Sequence, residues 1–368
     1  MDSPTRLPPL PYQTVYEVAE ADEQETVAAL LENLHKISDI TFKDSGHALR
    51  SVHAKSHGLL TGHLRVLDDL PPELAQGIFA YPASHAVVMR LSTTPGDLLD
   101  DHISTPRGLA VKVIGVEGER LAGSEGDVTQ DFVTVNGPVF PSPNAQKFLA
   151  GLKLLAATTD KAPGLKKALS AVLRGTEKAL EAVGGESATL KGLGGHPTTH
   201  ILGETFYTQA PLLFGPYMAK LQIVPVAPAL TALTGQPVDL HDKPDGMRAA
   251  VVEHFATQGG EWEVRVQLCT DLGTMPIEDS SVRWPEQDSP FIAVARITAP
   301  PQAAWNAALS KAVDDGMAFS PWHGIAAHRP LGSIMRVRKA AYQMSSHFRA
   351  ERNGVTMVEP QNLDDFPG

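Results

Sequence analysis

The chain has 368 residues, 42% of them apolar and 20% charged, the balance of an ordinary folded globular protein. Its formal charge of −11 excludes a broad nucleic-acid-binding face, because phosphate recognition needs clustered Lys and Arg. No apolar run is long enough to span a bilayer and the N-terminus lacks the order of a secretory signal, so a cytoplasmic protein is expected.

Pro4 to Tyr12 is proline-rich and without periodicity, which predicts an extended arm lying on another surface, such as that of a second subunit. Ala19 to Ile37 then places Val27, Leu30, Leu31 and Leu34 at helical spacing behind an acidic first turn. From about residue 50 to 140 the chain breaks into short β-branched runs: His85 to Leu91, Gly108 to Ile114 and Gln130 to Val135. A second set follows at Ala219 to Val226, Glu261 to Leu268 and Phe291 to Ile297. Their alternating faces and turn punctuation predict an antiparallel barrel or sandwich. No strand–helix–strand rhythm is present, which argues against a doubly wound parallel sheet.

Between the two sets, Ala145 to Ala182 reads as helical. It leads into a glycine cluster, Gly184 to Gly195, that does not open a helix after a strand and so reads as a loop rather than a phosphate cradle. Cys269 is the only cysteine; it excludes an internal disulfide, and its apolar surroundings make it a buried structural thiol. A helix is expected from Gln302 to Asp315, and a last one from Ser333 to about Arg352, ending near Gly354.

That last helix carries chemistry. Arg338 and Tyr342 are four apart and share a face, with Arg349 two turns further on. A guanidinium beside a phenol favours the phenolate, a hard oxygen donor suited to ferric iron. The same spacing also suits a surface arginine beside a half-buried tyrosine. Near residue 50, Arg50-Ser-Val-His53-Ala-Lys55 presents an imidazole that could move a proton between two oxygens, or serve as a structural histidine. His53 and His57 are four apart, but Gly58 breaks the segment and no third ligand is near, which disfavours a metal pair. Arg90, in an apolar strand, needs an anionic partner, either a ligand's carboxylates or a side chain such as Asp97 or Asp100.

Taken in order, these strings resemble the haem catalase family over about residues 36 to 350. Arg50-Ser-Val-His53-Ala-Lys is similar to its distal-histidine signature. Arg90-Leu-Ser92-Thr93 with Arg107-Gly-Leu-Ala-Val-Lys112 resembles its next strand pair, and Gln130 to Pro141 the strand ending in a haem-stacking phenylalanine. Pro276-Ile-Glu-Asp279 with Trp284-Pro-Glu286 and the terminal Arg338-x-x-x-Tyr342 with Arg349 complete the likeness. The resemblance implies Tyr342 as the axial ligand of a b-type haem, an assignment the general chemistry of catalase haem already contains. It further implies that Arg338 keeps the tyrosine ionised, and that Arg50, Arg90 and Arg349 pair with the propionates. His53 would be the acid–base group, Ser92 its hydrogen-bond partner, Val52 part of the channel wall and Phe140 the stacking ring.

Three departures qualify the likeness. The distal asparagine is not evident in Gly126-Asp-Val-Thr-Gln-Asp-Phe132, where Gln130 is the candidate substitute. Gln343-Met-Ser-Ser follows the tyrosine where Pro-Asp-Thr is usual, and the chain after it is short. The expected fold is therefore α+β: a catalase-like antiparallel barrel with surrounding helices, lacking the C-terminal helical domain and, with it, an NADPH site. Residues 1–37 form an arm and helix, 38–352 the haem-binding barrel with a helical insertion at about 145–200, and 353–368 a tail. The expected function is that of a small catalase-related peroxidase, acting on hydrogen peroxide or an organic hydroperoxide with a small organic reductant, as a homo-oligomer. Rearrangement of a fatty-acid hydroperoxide, as in allene oxide synthase relatives, and non-catalytic haem carriage are the alternatives.

Overall fold

A computed structural model of the chain describes residues 7–158 and 196–366. Nine strands form one antiparallel sheet: β1 (Ser56–Val66), β2 (Ser84–Thr93), β3 (Arg107–Ile114), β4 (Thr129–Val135), β5 (Phe206–Tyr207), β6 (Leu212–Phe214), β7 (Tyr217–Pro225), β8 (Gly260–Leu268) and β9 (Ile292–Ala299). β5 pairs with β4 through Val135 and Tyr207 and with β7 through Phe206 and Ile223, so the sheet closes into an eight-stranded barrel with β6 as a hairpin outside it. The fold is thus the expected antiparallel barrel with surrounding helices.

Side-chain alternation explains the closure. Val87, Met89 and Leu91 of β2, Leu109, Val111 and Val113 of β3 and Phe132 of β4 point inward, onto Leu60 and Leu64 of β1 and Val264 and Val266 of β8. Each such side chain taken fully from water stabilises the barrel by roughly 1.5–3 kcal/mol. Sequence periodicity located β2, β3, β4, β7, β8 and β9 but not β1, where Gly58, Gly62, His63 and Arg65 interrupt the apolar pattern. Gly62 is required there, because a Cβ would lie 2.2 Å from the Thr298 carbonyl oxygen on neighbouring β9.

Three long helices, α1 (Glu23–Ser45), α2 (Ala145–Thr158) and, at the end, α4 (Ser333–Asn353), pack together, while α3 (Gly246–Phe255) lies against the barrel. α1 begins four residues later and runs eight residues beyond the predicted end at Ile37, stopping at Gly46, which adopts the left-handed conformation at φ 69°. Of the predicted helix from Ala145 to Ala182, the part past Thr158 lies outside the described residues, as does the glycine cluster. The helix expected from Gln302 to Asp315 is instead one turn, Ala307–Ser310, running into a π-turn, Lys311–Asp315.

From Leu7 the N-terminal arm lies on this chain's own barrel: Leu10 N donates to Cys269 O at 2.9 Å and Tyr12 N to Pro216 O at 2.7 Å. Cys269 is buried beside Met218, Met275 and Trp284, and burial pushes its thiol up to about 12, which fits an inert structural residue. Among the described residues no helix is long and apolar enough to cross a membrane.

Candidate functional site

On the outer face of the barrel the same strands carry Arg90 and Ser92 (β2), Gly108, Ala110 and Lys112 (β3), and Asp131 and Val133 (β4), paired across the sheet. His53, just before β1, lays its ring on this face. Its Nδ1 is 3.0 Å from Ser92 Oγ, and a Cβ on Gly108 would come within 2.6 Å of its Cε1. Only glycine at 108 lets the imidazole sit so close. His53 holds φ at 56°, a left-handed value unusual for a non-glycine residue, pinned by its own N–H donating to Thr94 O at 2.7 Å. Burial, then the charges of Arg90, Arg338 and Arg50, lower its pKa to about 3, so the ring is neutral at ordinary pH.

Arg338 thus reaches the surroundings of His53 from the far end of the chain. On α4 its Nη2 donates to Tyr342 Oη at 2.7 Å and its guanidinium lies 5.2 Å from the tyrosine ring centre. The helix starts at Gly332, where φ is 86° and a Cβ would be 2.4 Å from Ile277 O. An apolar cluster made of Leu30, Leu34 and Ile37 (α1), Leu152 (α2) and Val337 (α4) also takes in Val52, Phe148, Ala341 and Met344. Neighbours of His53 and of Tyr342 therefore share one cluster. Ser51 N donating to Ser345 Oγ at 3.2 Å ties the two segments directly. Phe140 adjoins the cluster through Phe148, their rings edge-on at 5.1 Å.

Arg50, Arg90 and Arg349 converge on the π-turn. Arg90 Nε donates to Asp314 Oδ1 at 2.8 Å and its Nη2 to Ala54 O. Arg50 donates to the carbonyls of Val313 and Met317, and Arg349 to those of Asp314, Asp315 and Met317. Burial and then nearby positive charge depress two of them, Arg50 by the charges of Arg349 and Arg90, and Arg349, beside Arg90, to about 10. Nε of Arg50 and Nε of Arg349 are buried without a hydrogen-bond partner among the described residues.

Gln130 does not join this group. Its register partner is Val113, so by pleat parity it points to the inner face, where its amide donates to Asp131 O and accepts from Ile325 N. A glutamine one residue out of phase cannot reach His53. Sequence reading missed Asp314, 224 residues from its partner Arg90, and the roles of Gly108 and Ser345. Only Gly108, a glycine inside a β-branched strand, left a local signal.

No family model matches the chain, and no curated protein matches its sequence. Solved structures do. A fungal catalase superposes with a TM-score of 0.58 at 17% identity, covering 96% of this chain and 67% of that one. A bacterial catalase gives 0.55 and 17%, covering 87% and 61%. Catalase A from Saccharomyces cerevisiae gives 0.56 and 17%, covering 95% and 68%. The chain has the catalase fold, and it spans about two thirds of the length of these relatives.

Proposed function

We propose that the chain is a haem-dependent oxidoreductase that consumes peroxide, working as a peroxidase with a small organic reductant. The observation that carries this reading is the meeting of two segments 289 residues apart: the His53–Ser92 pair on the barrel and the Arg338–Tyr342 pair on α4, linked by the influence of Arg338 on His53.

The residues fit a haem. Arg50 and Arg349 each keep a buried Nε without a partner among the described residues, and the three arginines face two carboxylates, Asp314 and Asp315, which suits an anionic ligand. Tyr342, with a cationic donor on its oxygen, would hold the iron; Val52 and Phe140 would flank the ring. The bound group would supply the redox-active iron, of b-type haem, on which the peroxide is reduced. His53, neutral and with Nδ1 engaged by Ser92 Oγ, would use Nε2 to take a proton from one peroxide oxygen and return it to the other. Ser92 and the close seat on Gly108 would hold the ring in that orientation. From β4 the nearest outward neighbours are Val133 and Val135, which offer no hydrogen-bond donor to orient a second peroxide. This favours an outside reductant over disproportionation.

The test is an absorption spectrum of the haem-reconstituted chain, followed by oxygen release from hydrogen peroxide with and without a phenolic donor. A high-spin ferric tyrosinate spectrum with donor oxidation outpacing oxygen release is the expected result. Vigorous oxygen release would make the chain a catalase, and failure to bind haem would end the reading.

A further inference from the structure

Indole is among the most easily oxidised side chains, and the four tryptophans of the chain differ in what surrounds them. Trp262 lies inside the barrel, 1% exposed. The indole N–H groups of Trp284 and Trp322 donate to the carbonyl oxygens of Pro276 and Met335, which do not take up a proton. Trp305 is different. It is half-buried against Leu59, Val88 and Leu309, and its Nε1 donates to Ser56 Oγ at 3.0 Å. An indole N–H only donates, so the Ser56 hydroxyl accepts it and turns its own proton to Asp314 Oδ2, 2.7 Å away. Asp314 Oδ1 accepts from Arg90 Nε at 2.8 Å, and Arg90 donates to the carbonyl of Ala54, the residue after His53. One hydrogen-bonded line thus runs from a half-buried indole to the surroundings of His53. Charge decides what oxidation the line permits. The Arg248 guanidinium lies 4.1 Å from the Trp305 ring centre, fixed by its Nε donating to Ser56 O at 3.0 Å. A fixed cation on the ring face opposes a positive ring, so an electron can leave Trp305 only together with the N–H proton. An oxidised indole is a strong acid, and Asp314 is an acceptor behind the hydroxyl. Burial works against its charge, but Arg90, Arg50 and the hydroxyls of Ser56 and Ser310 outweigh it and keep it a carboxylate.

We infer that Trp305 is the residue through which the outside reductant delivers its electrons, with Ser56 and Asp314 as the relay for the indole proton. Trp305 gives one electron to the peroxide-oxidised haem site and its N–H proton to Ser56 Oγ, whose own proton moves to Asp314 Oδ2. A phenolic donor then returns one electron to the indole, becoming a phenoxyl radical and losing its proton to water, while the proton on Asp314 goes back through Ser56. Repeated once more, this supplies the two electrons that one peroxide takes up. The inference rests on the haem reading above and adds a second site to it: peroxide is handled at His53, and the reductant is oxidised at Trp305, on the other side of the Asp314–Arg90 pair.

The haem-reconstituted full-length chain, carrying ring-deuterated tryptophan, is mixed with hydrogen peroxide and frozen for electron paramagnetic resonance. Stopped-flow rates with guaiacol as donor are measured beside it. The expected signal is a tryptophan radical narrowed by the deuterium and free of an exchangeable N–H splitting. Trp305→Phe should abolish it and slow guaiacol oxidation roughly tenfold or more, while the first reaction with peroxide stays within about twofold. A radical that survives Trp305→Phe, or guaiacol oxidation that keeps its rate there, overturns the inference. A radical that keeps the N–H splitting overturns the relay through Ser56 and Asp314. Should Trp305→Phe fail to fold, Ser56→Ala decides, because it keeps the indole and removes the group that takes its proton. The radical should then be lost, and an undiminished one overturns the inference. A chain that binds no haem, or whose haem does not react with peroxide, overturns the haem reading itself.

Discussion

The two faces of β2, β3 and β4 are built from the same residues in alternation and follow different rules. Inside, Val87, Met89, Leu91, Val111 and Phe132 pack into one large apolar cluster. Outside, Arg90, Ser92, Lys112 and Asp131 are almost as fully buried, yet each is held by a specific partner. The inner face makes the barrel close. The outer face spends the stability of that closure on charges that apolar packing alone would reject, because an ion kept from water is tolerated only where a counter-charge or donor is fixed beside it. The candidate chemistry lies on the outer face for that reason.

Substitutions on the two faces should therefore separate activity from stability. The largest effect is expected for His53→Ala, which should lower peroxide turnover by about 10²–10⁴-fold, the usual contribution of a general acid–base, with haem retained and melting little changed; intact turnover would remove His53 from the mechanism. Next comes Lys112→Met. Lys112 is wholly buried between Asp131 at 2.7 Å and Glu359 at 2.7 Å, so its loss strands two carboxylates and should cost about 3–5 kcal/mol in urea unfolding. On the inner face, Met89→Ala should cost about 2–5 kcal/mol through a cavity while turnover per folded molecule, measured well below the melting point, stays as it was.

Acid should act on both faces at once. Burial first, with nearby positive charges, lowers His53 and His323 to about 3, and burial lowers His328 and His200 to about 4. The unfolded chain protonates these rings near pH 6.5, the folded one only near 3 to 4, so the unfolded state binds more protons in between. Stability should fall as pH drops from about 6.5 toward 4, read as a declining melting temperature. Asp131, whose carboxyl burial raises against the pull of Lys112, works in the opposite sense and offsets part of that fall. Turnover that depends on neutral His53 should hold down to about pH 4 for as long as the fold survives. The smallest effect belongs to Ser92→Ala. Loss of one hydrogen bond orienting the imidazole should reduce turnover by roughly fivefold, about 1 kcal/mol, without a change in Tm.

Much of the outline was legible in the chain. Alternation located six of the strands because one face of each is largely apolar, and the spacing of Arg338 and Tyr342 put them together because helix geometry makes residues four apart neighbours. His53 and Ser92 could be named as a pair only through resemblance to a family, since nothing local links residues 39 apart. Gln130 shows the limit of such matching. A candidate chosen from a string falls on the wrong face when the strand register is out by one, and register is set by pairing with Val113, not by the string itself.

The sequence by itself determined the elements whose information is local: the amphipathic strands, the cores of the long helices, the glycine at 354 that ends α4, and the Arg–Tyr pair on one helix turn. Tertiary structure alone decided the partners of the buried charges. Asp314 was not foreseen for Arg90, where Asp97 and Asp100 stood nearer in the chain, because a buried guanidinium takes whichever carboxylate the closed barrel and the π-turn bring within about 3 Å of it. That choice depends on strand register and turn geometry summed over more than two hundred residues, and no pattern of neighbouring residues encodes it.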